Sequence, residues 1–118
     1  MNDVTIPFRS PTVNATAELV KTGYRKLHSI HAFSINDEDN FLHFYNVAAA
    51  SSVTVGTTVP DYTVLLPAGD TNLRGAIAEA YGEGPLSFQK GIVIAVTKED
   101  DGGNSAPDVD CFVSLRIS

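Results

Sequence analysis

At 118 residues the chain is one domain long and can bury about two-thirds of its unfolded surface, so its core needs no metal or disulfide staple. Apolar residues at 43% against charged residues at 19% exclude a disordered chain. Eight basic against fourteen acidic residues leave a net charge of −6, which excludes the basic stripe that nucleic acid or an anionic membrane demands.

Valine, isoleucine and threonine number 12, 7 and 10, and such χ1-restricted side chains favour strands. Residues 1–13 read as an extended N-terminal arm, because Pro7 and Pro11 bias their neighbours toward extended geometry. Val4, Ile6 and Phe8 alternate along it, an apolar row expected to dock on the chain's own body or on a neighbouring subunit. Residues 14–118 read as a single β-sandwich domain. Thr16 to Lys21 forms a first strand closed by Gly23, and Tyr24 to Ile35 a longer second one. Asn36-Asp37-Glu38-Asp39-Asn40 is a hairpin turn, since Asn and Asp bond their own backbone.

Phe41 to Val47 returns as a third strand. Leu42 and Phe44 share one face, while Phe41, His43 and Tyr45 share the other. Apolar and aromatic residues on both faces imply a cover on each side: the core on one, a partner or a long loop on the other. Phe41, His43 and Tyr45 therefore join Val4, Ile6 and Phe8 as candidate interface residues. Ala48 to Thr58 is a small-residue loop in which Gly56 permits a positive φ. Tyr62 to Leu66 is a strand bracketed by Pro60 and Pro67. Residues 68–86 read as a long loop holding at most a turn or two of helix. Asp70-Thr71-Asn72 is placed to cap a short helix through Ala80, with Ile77 and Tyr81 at i, i+4, while Gly75 and Gly82-Glu83-Gly84-Pro85 keep it short. Whether 70–84 is helix or loop stays open.

Leu86 to Phe88 is a stub strand, and Ile92 to Thr97 is an apolar run expected to be buried on both faces. Lys98 to Asp108 is an acidic loop. In the last strand Val109, Cys111, Val113, Leu115 and Ile117 alternate with Asp110, Phe112, Ser114, Arg116 and Ser118, the period of a half-buried strand. The expected core contains Leu19, Ile30, Leu42, Phe44, Val64, Leu66, Ile92, Ile94, Val96, Val113 and Leu115. The fold class is all-β: an antiparallel β-sandwich of about 6–8 strands, jelly-roll or immunoglobulin-like, with at most one short helix.

The chemistry-bearing residues are sparse. Cys111 is the lone cysteine, so no internal disulfide forms, and it reads as a small buried hydrophobe. His28 and His31 point to opposite faces of one strand, which argues against a shared metal with His43. The acidic clusters at Asp37-Glu38-Asp39 and Glu99-Asp100-Asp101 lack EF-hand spacing and read as exposed turns. No serine sits in a nucleophile elbow, and Gly82-Glu83-Gly84 is not a phosphate loop. The expectation is a protein without catalytic residues, cofactor or metal. Met1 to Pro11 holds no apolar run of signal-peptide length, and no stretch reaches the roughly 20 apolar residues of a membrane helix.

The order of landmarks carries more than any one motif. Leu19-Val20-Lys21-Thr22-Gly23 leads into Arg25-Lys26-Leu27-His28-Ser29-Ile30, then Phe44-Tyr45-Asn46, Val55-Gly56-Thr57-Thr58-Val59-Pro60, Leu66-Pro67-Ala68-Gly69 and Phe88-Gln89-Lys90-Gly91-Ile92-Val93-Ile94-Ala95-Val96-Thr97. This course over residues 19–97 resembles small β-sandwich structural proteins of tailed bacteriophages and prophages. Leu73 to Gly84 is longer than that pattern. The resemblance implies a virion component made in the host cytoplasm, most simply a capsid decoration (cement) protein, with a tail, baseplate, neck or fibre-attached subunit as the close competitor. The partners it implies are the major capsid protein or a tail component and further copies of the chain. A reading of another class is a carbohydrate- or ligand-binding β-sandwich module, with Tyr24, Tyr45, Tyr62 and Tyr81 as stacking platforms.

Overall fold

A computed structural model describes residues 5–69, 75–80 (backbone course only), 84–100 and 103–118. The strands are β1 (Ile6–Val13), β2 (Glu18–Thr22), β3 (Arg25–Ser34), β4 (Asn40–Tyr45), β5 (Tyr62–Leu66), β6 (Gly75–Ala80), β7 (Leu86–Phe88), β8 (Gly91–Thr97) and β9 (Cys111–Ile117). They form two antiparallel sheets. One has five strands in the order β1-β9-β3-β6, with β7 also on β3; the other has four, in the order β2-β8-β4-β5. β1 pairs with β9, β2 with β8, β3 with β6, and β4 with β5, and the roll closes where β9 meets β3 and β8 meets β4. That nested hairpin, rolled into two layers, is the course of a jelly roll rather than of an immunoglobulin domain.

The core lies between the layers. Ile30, Leu42, Phe44, Val64, Leu66, Ile92, Ile94, Val96, Val113 and Leu115 are all buried there, with Val13, Leu27, Phe88, Cys111 and Ile117. Leu19 departs from the expectation: it is 41% exposed, and Val20 packs on the core in its place. A register shift in β2 between Leu19 and Lys21 accompanies this phase, since one residue of slip exchanges the faces of a strand. Val109 also departs. It is exposed, and the inward alternation begins at Cys111, where β9 itself begins.

β8 is buried along its whole length, as its apolar run predicts. Gly91 opens it at φ +151°, where a Cβ would stand 2.6 Å from the Val47 carbonyl oxygen and 2.9 Å from that of Lys21. Backbone on both sides leaves that Cβ no room, so the crossing of β2, β8 and the chain after β4 requires glycine.

Two expectations differ from the structure. The stretch read as loop with at most a turn or two of helix carries strand β6, antiparallel to β3 from Ser29 to Ser34; Asp70 to Asn72 and Tyr81 lie outside the described residues. Alanine favours helix locally, but β3 has a long edge whose polar groups need partners, and β6 and β7 share it. The helical turn among the described residues is a 3-10 turn at Ala50–Ser52. The arm is extended as expected, yet residues 6–13 are the first strand of the roll rather than a segment apart from the domain. Ile6 and Phe8 lie on the inner side of β1, opposite the inward-facing Ile117 and Leu115, and Val13 is fully buried. Pro7 and Pro11 sit in a strand with one free edge, the position in a sheet that tolerates a missing N–H.

Candidate functional site

The two outer faces differ in kind. Over the four-stranded sheet, Tyr45, Val93 and Ala95 form a second small cluster, covered by Ala17 and by Val47, Ala50, Val53 and Val55 of the loop after β4. His43 is buried beside it. Its Nδ1 lies 2.9 Å from Thr63 Oγ1, and its Nε2 lies 2.8 Å from Thr97 Oγ1 and 3.2 Å from the Glu99 carbonyl oxygen. Thr97 Oγ1 donates to that same carbonyl at 2.7 Å. The network assigns the proton to Nε2, with the Thr63 hydroxyl donating to Nδ1. Burial holds the imidazole below its ordinary pKa, against the Glu99 carbonyl and the charges of Asp100 and Glu99.

His43 thereby ties down the acidic loop after β8. Ser105 N–H donates to the Glu99 carboxylate at 3.0 Å, which holds that carboxyl below its usual range. Lys98 bridges Glu38 and Asp108, each at 3.0 Å, and Asp39 accepts from the Ala68 N–H. The acidic turns are therefore joints between loops. His43 and Tyr45 are 2% exposed, sealed under their own chain rather than offered to a partner, and Phe41 is half-buried beside them. The loop after β4 supplies cover on this face.

On the outer face of β1, β9 and β3 no comparable covering cluster occurs among the described residues. Across β1, β9 and β3 one row reads Arg9, Ser114, His31; the next reads Pro7, Arg116, Ser29; and Phe112 faces Phe33 in a third. The Arg9 guanidinium carbon lies 5.2 Å from the centre of the Phe112 ring. Phe112 packs on Phe33 at 5.2 Å between ring centres, and Phe33 on His31 at 4.7 Å. The small Ser114 sits among these larger side chains and floors a groove of about 350 Å³ walled by Arg9, His31, Phe33, Phe112 and Arg116. A second, smaller groove runs on past Phe33 and Phe112 to Val109 and Asp110.

Arg9, His31 and Arg116 are exposed, and the two phenylalanines are half-buried. Neither arginine forms an ion pair among the described residues. Two arginines, a histidine and two aromatic rings on an open sheet, in a chain of net charge −6, make a surface suited to protein contact, where Arg and aromatic residues are enriched.

Among the candidate interface residues, Ile6 and Phe8 sit on the opposite side of β1 from Arg9, and Val4 lies outside the described residues. Arg9, His31, Phe33, Phe112 and Arg116 are marked as a contact surface by no sequence motif. Their signal was the outward half of the β9 alternation, where Phe112 is apolar on a face that should be polar.

The three histidines do not converge: His28 bonds Ser118 Oγ, His31 stacks on Phe33, and His43 is sealed under the loops. No group of three metal-ligating side chains occurs among the described residues, and none of their helices is long and apolar enough to cross a membrane. Of the tyrosines, Tyr45 is buried and Tyr62 packs on the core, while Tyr24 is 57% exposed; Tyr81 lies outside the described residues. No protein-family model, curated protein or solved structure matches the chain.

Proposed function

We propose that this protein is a non-enzymatic structural subunit of a tailed-phage particle, a capsid decoration protein that works through protein contacts rather than chemistry. The observation that carries the contact half of this reading is the asymmetry of the sandwich. One outer face is sealed by the chain's own loops, and the other presents Arg9, Phe112, Phe33, His31 and Arg116 on an open sheet. The phage half is supported by the course of glycine, proline and apolar landmarks over residues 19–97. A jelly roll is also an architecture that viral capsid domains use, an analogy of fold alone.

A lattice-binding subunit gains strength by repeating a modest contact over many equivalent sites. The test is quantitative mass spectrometry of purified particles from a phage carrying this gene. Hundreds of copies per particle are expected for decoration. Roughly six or twelve copies would move the chain to the neck, tail or baseplate, where ring symmetry sets the number. Particles without it would overturn the virion reading.

A further inference from the structure

We infer that the outer face of β9 and β3, where Arg116, Asp110 and His31 are exposed, is a two-fold interface with a second copy of this chain. The inference rests on reading that face as a contact surface, and it names the occupant. The argument begins with how charge is laid out along β9. Arg116, Ser114 and Phe112 point outward in succession, and Asp110 follows at the rim of the same face. Arg116 and Asp110 are six residues apart, ~20 Å along an extended strand. One end of the face is basic, the middle is aromatic with a hollow beside it, and the far end is acidic. Asp110 takes a neutral hydrogen bond from Asn14 Nδ2 at 3.2 Å and forms no ion pair among the described residues. Asp108 next door is already held by Lys98.

Such a face is complementary to itself under one particular operation. A two-fold axis lying between two facing sheets, perpendicular to the strands and level with residue 113, reverses the strand direction while keeping β9 over β9 and β3 over β3. Arg116 then lies over the partner's Asp110, and Asp110 over the partner's Arg116. Phe112 lies over the partner's Ser114, so each ring enters the hollow that a small residue leaves. On β3, His31 lies over the partner's Phe33 by the same step, because Phe33 is level with Phe112 and His31 with Ser114. Face-packed sheets cross at about 30°, which keeps central strands in contact and spreads the outer ones. The contacts named are accordingly those of the two central strands.

The other two-fold, with its axis along the strands, would stack Arg116 on the partner's Arg116 and is disfavoured by like charge. An isologous contact of this kind closes on itself and gives a discrete dimer, not a fibre.

Sedimentation equilibrium of the full chain over a range of concentrations tests this, with melting curves to confirm that each variant is folded. The wild type should dimerise. Arg116→Glu and Asp110→Lys should each weaken dimerisation at least ~10-fold, since each sets like charges opposite one another twice per dimer. The double variant Arg116→Glu/Asp110→Lys should regain the dimer, a result that neither misfolding nor general loss of charge produces. Ser114→Trp should block it by filling the hollow. A wild type monomeric at every concentration, an oligomer indifferent to both single swaps, or a double variant that stays monomeric would each overturn the inference. Particle composition is read separately. A monomeric chain present in particles sinks the dimer and leaves the virion reading standing, whereas a dimer absent from particles does the reverse.

Discussion

The side-chain amide of Asn36 meets the main chain of Val109 with both of its ends. Val109 N–H donates to Oδ1 at 2.7 Å, and Nδ2 donates to the Val109 carbonyl at 2.9 Å. The side chain thus imitates a strand, joining the β3–β4 turn to the approach of β9, 73 residues away. Nδ2 also donates to Ser34 Oγ at 2.9 Å, and Asn36 as a whole is 3% exposed.

Asn36→Ala should cost about 2 kcal/mol, because the two hydrogen bonds to Val109 and the one to Ser34 are lost and the Val109 main chain is left poorly satisfied. For a domain of this size that is a fall of roughly 10 °C in melting temperature. Asn36→Asp should be worse despite its similar shape, since it aims a carboxylate oxygen at the Val109 carbonyl. Calorimetry of the two variants checks the order; Asp tolerated better than Ala would show that the amide is not acting as a donor.

The phase of β2 gives a second prediction. Leu19 is 41% exposed and Val20 packs on the core, so Leu19→Asp should change stability by less than about 0.5 kcal/mol. Val113→Asp, at a position with no exposure, should abolish folding, because an unpaired buried carboxylate costs several kcal/mol or more (order of magnitude) against a total of about 5–15 kcal/mol. Denaturant titration of the pair decides it. Equal effects would place both side chains on one face and refute the observed register.

What separates these residues is how locally each was specified. Ile30, Leu42, Phe44, Ile94 and Val113 were legible because strict alternation or a continuous apolar run fixes the inward face without knowledge of the neighbour. Leu19 was not, because a bulge in β2 is a property of its pairing with β8. β6 was not, because its Ala-rich sequence states a helical preference that the open edge of β3 overrides. The contact face was invisible for a related reason. Arg9, Ser114 and His31 are 22 or more positions apart in sequence, and only the two ladders on β9 place them in one row.

His43 makes the fold sensitive to acid. Its pKa is lowered from 6.5 by burial, so the folded chain binds fewer protons than the unfolded one as pH falls toward and below that value. Stability is therefore full above about pH 6.5, declines as pH falls through it, and stops declining through this group once pH is below the folded pKa. Glu99, whose carboxyl is held below 4.5, adds its own loss only in more acid solution. His43→Gln should flatten the dependence between pH 6.5 and 5, at some cost in stability at pH 8. A wild-type melting temperature constant over that interval would show that the imidazole is not held neutral. Proteolysis within 98–105 should rise over the same interval, since His43 anchors the loop through the Glu99 carbonyl.

The first strand yields the last prediction. An arm that served assembly alone could be removed with little effect on the folded body, and β1 is not placed that way. It runs antiparallel to β9 from the Ile6–Ile117 pair to the Val13–Cys111 pair. Val13 is fully buried, Phe8 packs on the core, and Ser10 donates to the Glu18 carboxylate at 3.0 Å. Holding eight residues in a strand costs about 1–2 kcal/mol each in backbone entropy. The ladder and the apolar contacts must exceed that sum for β1 to be ordered at all. Deletion removes the cost along with the contacts, but it also uncovers the flank of β9, whose Val113, Leu115 and Ile117 are at most 1% exposed. Opening that flank forfeits roughly 1.5–3 kcal/mol for each side chain that reaches water. Deleting residues 1–13 should therefore abolish the cooperative thermal transition rather than merely weaken subunit association. Val13→Ala, which keeps the strand and removes two methyl groups, should cost about 2 kcal/mol. A truncated chain that melts at the wild-type temperature would show β1 to be a detachable arm.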